Sequence, residues 1–310
     1  MSSPLEDAMN KAKPLVIVLI GPTASGKTEL AIEIAERIES AIHNIDSRQL
    51  YKGMDIGTAK PTQNQQKRVK HYLINLREPN KPMTMSEFKQ TAQLSLEKNF
   101  KKKNIGLLAG GSGLYLKAIT RGLCPPEVPS QQNLREQLTS IGLIECHKLL
   151  EKCDPISAKK ISPKDSSRTI RALEVFYATG KPISSQINLK PPNWNLIEIG
   201  LNPKDLNERI AKRTKSIYKN GLVEETKILS KKYGDHLPLL QTIGYAEALN
   251  SIKGEMSVLE AIEITTRRTI QFAKRQKTWF KGQHNATWLN ETNPLEEAMT
   301  LIQNVIGLRK

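Results

Sequence analysis

The chain has 310 residues, enough for one large domain or for a domain carrying a smaller insert, and either can bury a sizeable core. Hydrophobic residues make up 38% and charged residues 25%, a balance that excludes a disordered chain. A formal net charge of +16 gives a positive field that attracts polyanions, so nucleic acid is the first partner class to consider.

Residues 1–14 contain Glu6 and Asp7 and no apolar h-region. The first apolar run, residues 15–20, falls far short of the roughly 20 residues that span a bilayer. A cytoplasmic protein without export or membrane segments is expected. Three cysteines, Cys124, Cys146 and Cys153, are odd in number and lack CxxC spacing, so they read as reduced thiols.

"PLVIVLIG" is a short continuous apolar run bounded by Pro14 and Gly21, the pattern of a strand buried on both faces of a parallel sheet. "KTELAIEIAERIES" then repeats Leu30, Ile34 and Ile38 at helical spacing. The turn between them, "GPTASGKT" at 21–28, fits G-x-x-x-x-G-K-[ST] in the strand–loop–helix context that motif needs. Its backbone N–H groups and the following helix N-terminus would surround a phosphate oxyanion. Lys27 would neutralise the charge and the Thr28 hydroxyl would ligate Mg²⁺.

"AIHNID" follows as a second strand ending at Asp46, and "NIGLLAGGSGLYLKAIT" repeats the order of apolar strand, glycine turn and helix. A nucleotide hydrolase would usually end that central strand in an acid that helps hold Mg²⁺, and here it ends in glycines. The loop therefore certifies a di- or triphosphate and does not certify ATP. Asp46 remains open between metal ligand, helix cap and base.

Residues 130 to about 185 are polar with helical periodicity, between the proline-containing stretches "GLCPPEVPSQQ" and "LKPPNWN". They predict a helical insertion at 125–193 within an α/β core formed by 1–124 and 194–310. In "EITTRRTIQFAKRQKTWFK", Arg267, Arg268, Gln271, Lys274 and Arg275 share one helical stripe, opposite Ile262, Ile270, Ala273 and Phe280. Residues 264–281 carry six Lys or Arg and no acid, which predicts a polyanion contact.

Taken with "DSRQLYKGMDIGTAKP" at 46–61, "GGSGLY" at 110–115, "DPISAKKISPKDSSRTIRALEVFYATGKP" at 154–182 and "IGYAEAL" at 243–249, these blocks resemble the bacterial type of the tRNA dimethylallyltransferase (tRNA isopentenyltransferase) family. The likeness covers nearly the whole chain from about residue 15 to 282. It implies a P-loop α/β core related to nucleotide kinases, with a parallel sheet covered by helices and an inserted helical domain. It also implies transfer of a dimethylallyl group from dimethylallyl diphosphate to N6 of adenosine 37, in tRNAs reading codons that begin with U. Mg²⁺ would be the cofactor, and the tRNA anticodon stem-loop the partner of a monomer.

By the same resemblance, Gly21, Pro22, Thr23, Ala24, Ser25, Gly26, Lys27 and Thr28 would bind the diphosphate. Asp46 becomes the base that takes the amine proton, Thr23 the hydrogen-bond donor to the departing oxygen, and Arg213 a cation near the pyrophosphate, with Arg209 close by. The "DSRQ" side chains Asp46, Ser47, Arg48 and Gln49 would face an extruded adenosine. Further tRNA contacts carried over are Ser112; Arg135, Ser167, Arg168 and Arg171 in the insertion; Gln241, Gly244 and Tyr245; and Lys274, Arg275, Gln276 and Lys277. Two departures stand out: Ser112 where the family commonly has threonine, and Ala246 where arginine is frequent. No zinc-finger extension follows Lys281, as in the bacterial form. The rival readings are a P-loop kinase of a nucleotide or other small molecule, and a P-loop protein that binds RNA without modifying it.

Overall fold

The structure, a computed structural model, describes residues 13–307. The acidic pair Glu6 and Asp7, on which the reading of the N-terminus rests, lies outside them. The chain divides into two compact units, one running to Thr120 and resuming at Asn193, the other Arg121–Pro192.

The described strands are β1 (Leu15–Ile20), β2 (Ile42–Ile45), β3 (His71–Tyr72), β4 (Ile105–Gly110), β5 (Leu123–Cys124), β6 (Asn188–Leu189), β7 (Asn195–Gly200) and β8 (Thr287–Trp288). Six of them form the sheet of the first unit in the order β3-β2-β4-β1-β7-β8, and every pairing is parallel. β1 therefore lies between β4 and β7, and all six of its residues are fully buried.

Its side chains alternate between two cores, which is why the strand reads as an unbroken apolar run. Val16, Val18 and Ile20 pack in one cluster with Phe88, Leu96, Leu116, Tyr245 and Phe280. Leu15, Ile17 and Leu19 pack in the other with Leu30, Ile34, Met299 and Ile302. Burying both faces stabilises the sheet by roughly 25 cal/mol per Å² of apolar surface.

The helices of this unit that matter below are α1 (Lys27–Ile38), α2 (Met85–Phe100), α3 (Gly113–Thr120), α4 (Leu206–Lys219), α5 (Leu222–Tyr233), α6 (Tyr245–Ile252), α7 (Val258–Gln283) and α8 (Pro294–Gly307). Helix α1 packs on the side of α8, while α2 and α3 cover the opposite face. Helix α7 starts on a capping box in which Ser257 and Glu260 satisfy each other's backbone N–H groups.

The second unit is helical apart from the two-residue antiparallel ladder of β5 and β6. Its core gathers Leu138, Cys146, Leu150, Ala158, Ala172 and Leu173 from the helices Gln132–Ile141, Leu143–Cys153, Pro155–Lys160 and Ser166–Thr179. None of the three cysteines forms a disulfide. No helix among the described residues is long and apolar enough to cross a membrane.

Candidate active site

Three strand ends build the site. Residues 21–26 follow β1, Asp46–Gln49 follow β2, and Gly111 and Ser112 follow β4. Because Leu19 pairs with Ala109 and Ile45 with Gly110 in parallel register, the three stretches leave the sheet at one edge. That edge is the carboxyl end, where open α/β sheets collect ligands. Helices α4 and α7 contribute Arg213 and Arg275 to a cleft of about 500 Å³ that Thr23, Lys27, Thr28, Asp46, Gln49 and Ser112 also line.

The loop after β1 is shaped for an anion. Gly26 has φ 94°, a left-handed value that glycine adopts without strain, and Ala24 holds φ 62°, which costs a non-glycine residue about 1–2 kcal/mol. Gly26 also offers no side chain to the first N–H groups of α1, so they and the positive end of the helix dipole remain for a phosphate. Lys27 Nζ donates to the Pro22 carbonyl at 2.6 Å and to Ser25 Oγ at 3.4 Å. Burial, and then the Arg213 guanidinium, push the Lys27 ammonium down to about 7 against the opposing pull of Asp46. Burial also lowers Arg213, again opposed by Asp46. A diphosphate entering here would supply the counter-charge that both cations lack.

Arg213 donates to the Thr58 carbonyl at 3.5 Å and lines the central cleft, whereas Arg209 pairs with Asp205 at 2.6 Å and lines only a second pocket beside Ser25 and Gly26, which Arg213 also borders. Of the two arginines, the geometry puts Arg213 with Lys27 and Asp46.

The turn after β2 is organised by Asp46 itself. Its Oδ1 accepts the Arg48 N–H at 2.8 Å and the Gln49 N–H at 3.3 Å, so one oxygen caps the turn and the second stays available for a proton. Ser112 Oγ accepts the Ser47 N–H at 2.9 Å. Gln49 Nε2 donates to the carbonyls of Thr58 and Ala59, each at 3.2 Å. Those oxygens can only accept, so the amide orientation is fixed and Oε1 is its remaining polar group.

The segment carrying Thr58 and Ala59 is held by residues the sequence reading did not single out. The Glu225 carboxylate on α5 accepts the N–H groups of Asp55, Ile56 and Gly57 at 2.7–3.0 Å and the Tyr245 hydroxyl at 2.5 Å. Lys60 Nζ, almost fully buried, donates to the Tyr51 carbonyl, Asp55 Oδ1 and Asn75 Oδ1. No local motif could reveal Glu225, since it lies 170 residues from Asp55.

Several of the residues expected to contact tRNA already have partners within the protein, and Gly244, Tyr245 and Gln276 among them line the cleft. Tyr245 is 1% exposed, and burial followed by the Glu225 charge drives its phenol well above the usual range. Gly244 is buried and donates its N–H to Glu247, which also pairs with Arg268 of the basic stripe. Gln276 is 9% exposed, and its amide accepts the Thr23 N–H and donates to the Gly111 carbonyl, each at 2.9 Å.

In the helical unit, Arg135 and Arg171 both pair with Glu174, a fully buried carboxylate that also accepts the Gln131 N–H. Arg171 spends its other end on the Val128 carbonyl at 2.9 Å. These two arginines compensate a buried charge. The residues left open to solvent are Arg48, Gln241, Lys274 and Arg275 in the first unit and Ser167 and Arg168 in the second, while Lys277 is half-buried.

No group of three or more His, Cys, Asp or Glu side chains suited to a metal occurs among the described residues. The oxygen donors at hand are the exposed Thr28 hydroxyl and the Asp46 carboxylate on the same cleft. That sparse set fits Mg²⁺, which keeps several waters and arrives with substrate phosphates.

A family model described as IPP transferase matches residues 49–283. The chain belongs to the IPP transferase family. It is 64% identical over 299 residues to a protein of Prochlorococcus marinus named tRNA dimethylallyltransferase, covering 96% of this chain and 100% of that one. A protein of the same name from a Synechococcus species is 56% identical over 301 residues, 97% of each chain.

Among solved structures, the full-length tRNA isopentenylpyrophosphate transferase of Bacillus halodurans superposes with a TM-score of 0.71 at 30% identity, covering 96% of this chain and 98% of that one. A eukaryotic dimethylallyltransferase described as acting on tRNA gives 0.76 at 25% identity, over 96% and 80% of the two chains. As an IPP transferase the chain is a transferase with the P-loop α/β fold, and the kinase reading loses its ground.

Proposed function

We propose that this IPP transferase moves a dimethylallyl group from dimethylallyl diphosphate to N6 of adenosine 37 in the anticodon loop of tRNAs that read codons beginning with U. The observation that carries the reading is the pairing, on one cleft, of a diphosphate cradle with the Asp46 carboxylate at the end of β2. The adjoining β4 ends in glycines rather than in a second acid.

An allylic diphosphate breaks its C1–O bond readily once the charge growing on the departing oxygen is stabilised. The α1 N–H groups, Lys27, Arg213 and the Thr23 hydroxyl are the groups positioned to do so. Mg²⁺ held with the diphosphate by Thr28 would add Lewis-acid stabilisation of the leaving group. The N6 lone pair forms the new C–N bond, the C1–O pair leaves with diphosphate, and Asp46 takes the proton that N6 sheds.

Adenosine 37 must leave the loop stack to reach Asp46, and single-stranded bases splayed from loops are read on their edges. Gln49 Oε1, fixed as an acceptor, suits an exocyclic amine and disfavours a 6-keto purine. Arg48, Lys274 and Arg275, with Ser167 and Arg168 of the helical unit, supply contacts to the RNA backbone and the salt-sensitive share of affinity. The reading takes the protein as a monomer acting on tRNA in the cytoplasm.

The test is incubation of the protein with Mg²⁺, dimethylallyl diphosphate and an unmodified tRNA bearing A36-A37-A38, followed by nuclease digestion and mass spectrometry of the nucleosides. N6-dimethylallyl adenosine is the expected product. Its absence, under conditions where a known enzyme of this kind works, sinks the reading.

A further inference from the structure

Gln276 sits in a cationic stretch of the chain, flanked by Lys274, Arg275 and Lys277, yet it faces inward and is 9% exposed. Its two amide atoms tie together two of the strand ends that build the site. Oε1 accepts the Thr23 N–H after β1, and Nε2 donates to the Gly111 carbonyl after β4, both at 2.9 Å.

Two further observations show that the surrounding backbone is built for this contact. A Cβ on Gly111 would come within 2.6 Å of Gln276 Nε2, so glycine is what lets the amide approach. One turn further along α7, a Cβ on Gly113 would come within 2.5 Å of the Trp279 ring, so the glycine turn after β4 seats two successive inward side chains of that helix. On the β1 side, the Thr23 N–H precedes Ala24, whose φ of 62° persists only where neighbours over-determine it. The bond from Gln276 is one such constraint.

We infer that Gln276 is a positioning residue for the leaving-group site, setting the Thr23 backbone and so aiming its hydroxyl, rather than a contact to RNA. The inference rests on the transferase reading above, in which Thr23 faces the departing oxygen. It also gives α7 a second task. The helix that presents Lys274 and Arg275 to solvent is hydrogen-bonded through Gln276 to the phosphate loop, so RNA docked on its outer face bears on the loop through one amide.

The test uses the full chain with Q276M, which keeps the side chain's length and loses both hydrogen bonds, and with G111A, which displaces the amide from the other side. Binding of inorganic pyrophosphate in Mg²⁺ is measured by calorimetry, and binding of the unmodified tRNA by fluorescence titration. Leaving the part-buried Thr23 N–H and Gly111 carbonyl without the Gln276 amide should weaken pyrophosphate binding about tenfold in both variants, with the tRNA Kd within about twofold of wild type.

A folded Q276M with unchanged pyrophosphate affinity overturns the inference, and so does loss of tRNA affinity with pyrophosphate binding kept. Loss of the far-UV circular dichroism signal in both variants would assign Gln276 to the fold alone and overturn it as well. Wild-type protein that binds pyrophosphate but makes no modified tRNA would instead refute the transferase reading, and the comparison of variants would remain readable.

Discussion

The Ser112 hydroxyl accepts the Ser47 N–H at 2.9 Å, so the residue after the β4 glycines holds the turn that carries Asp46. The family resemblance implies a tRNA contact at this position, where serine keeps the hydroxyl of the family's threonine and lacks its methyl. The bond found here needs only the hydroxyl. Ser112→Ala should leave the Ser47 N–H without its acceptor at a cost of about 1 kcal/mol and slow single-turnover transfer about fivefold. Ser112→Thr should restore the rate, measured by quenched-flow with labelled dimethylallyl diphosphate.

Asp46 does two things with two oxygens, and the substitution chosen decides which is tested. Asp46→Asn keeps the Oδ1 acceptor for the Arg48 and Gln49 N–H groups and loses the base. It should bind tRNA within a few fold of wild type and lower the single-turnover rate by roughly 10² or more. Asp46→Ala removes the cap as well and should additionally weaken tRNA binding. Equal transfer rates for Asp46→Asn and wild type would place the base elsewhere.

What is legible in the sequence is local. The run from Leu15 to Ile38 contains a strand, its loop and its helix within one stretch, and the structure finds them in that order. The strands β3 and β8 are two residues each, too short to show a period, and the sequence gives no sign of them. Glu225 and Gln276 act through partners far along the chain, which spacing cannot reveal. Gln276 shows the limit most plainly: the cationic neighbours that make it look like an RNA contact are on the helix surface, while its own side chain is turned to the glycine turn after β4. The carboxylate that pairs with Arg135 lies 39 residues away on another helix and shows only once the helices pack, whereas Arg171 has it three residues along its own helix.

Lys27 makes diphosphate binding a proton-linked event. Its ammonium is pushed down to about 7 from an ordinary value of 10.5, so between those pH values the folded, ligand-free protein binds fewer protons than the unfolded chain. Stability contributed by this group therefore rises with pH across that window, and it falls toward pH 7. A bound diphosphate favours the charged ammonium and raises its pKa again. Pyrophosphate binding at about pH 8 should take up close to one proton, seen as a dependence of calorimetric enthalpy on buffer ionisation heat. Lys27→Met should remove that dependence.

Glu174 supplies the clearest acid sensitivity of the helical unit. Burial pushes its carboxyl up, but Arg135, the Gln131 N–H and Arg171 outweigh that and hold it down at about 2. A carboxylate with a depressed pKa stabilises the fold above its ordinary value of 4.5, and the contribution is lost as pH falls through about 2. The two arginines are 38% and 31% exposed, so water compensates them in part when the carboxylate is removed. Glu174→Gln should therefore cost about 2 kcal/mol at pH 7, less than the loss of a wholly buried pair. Hydrogen exchange of peptides spanning residues 132–179, corrected for intrinsic rates, should show reduced protection at pH 7. It should also show a shallower change between pH 4.5 and 3 than wild type. Arg135→Ala should weaken protection in the same peptides while leaving tRNA affinity within about twofold, because the guanidinium serves the buried carboxylate before it serves any phosphate.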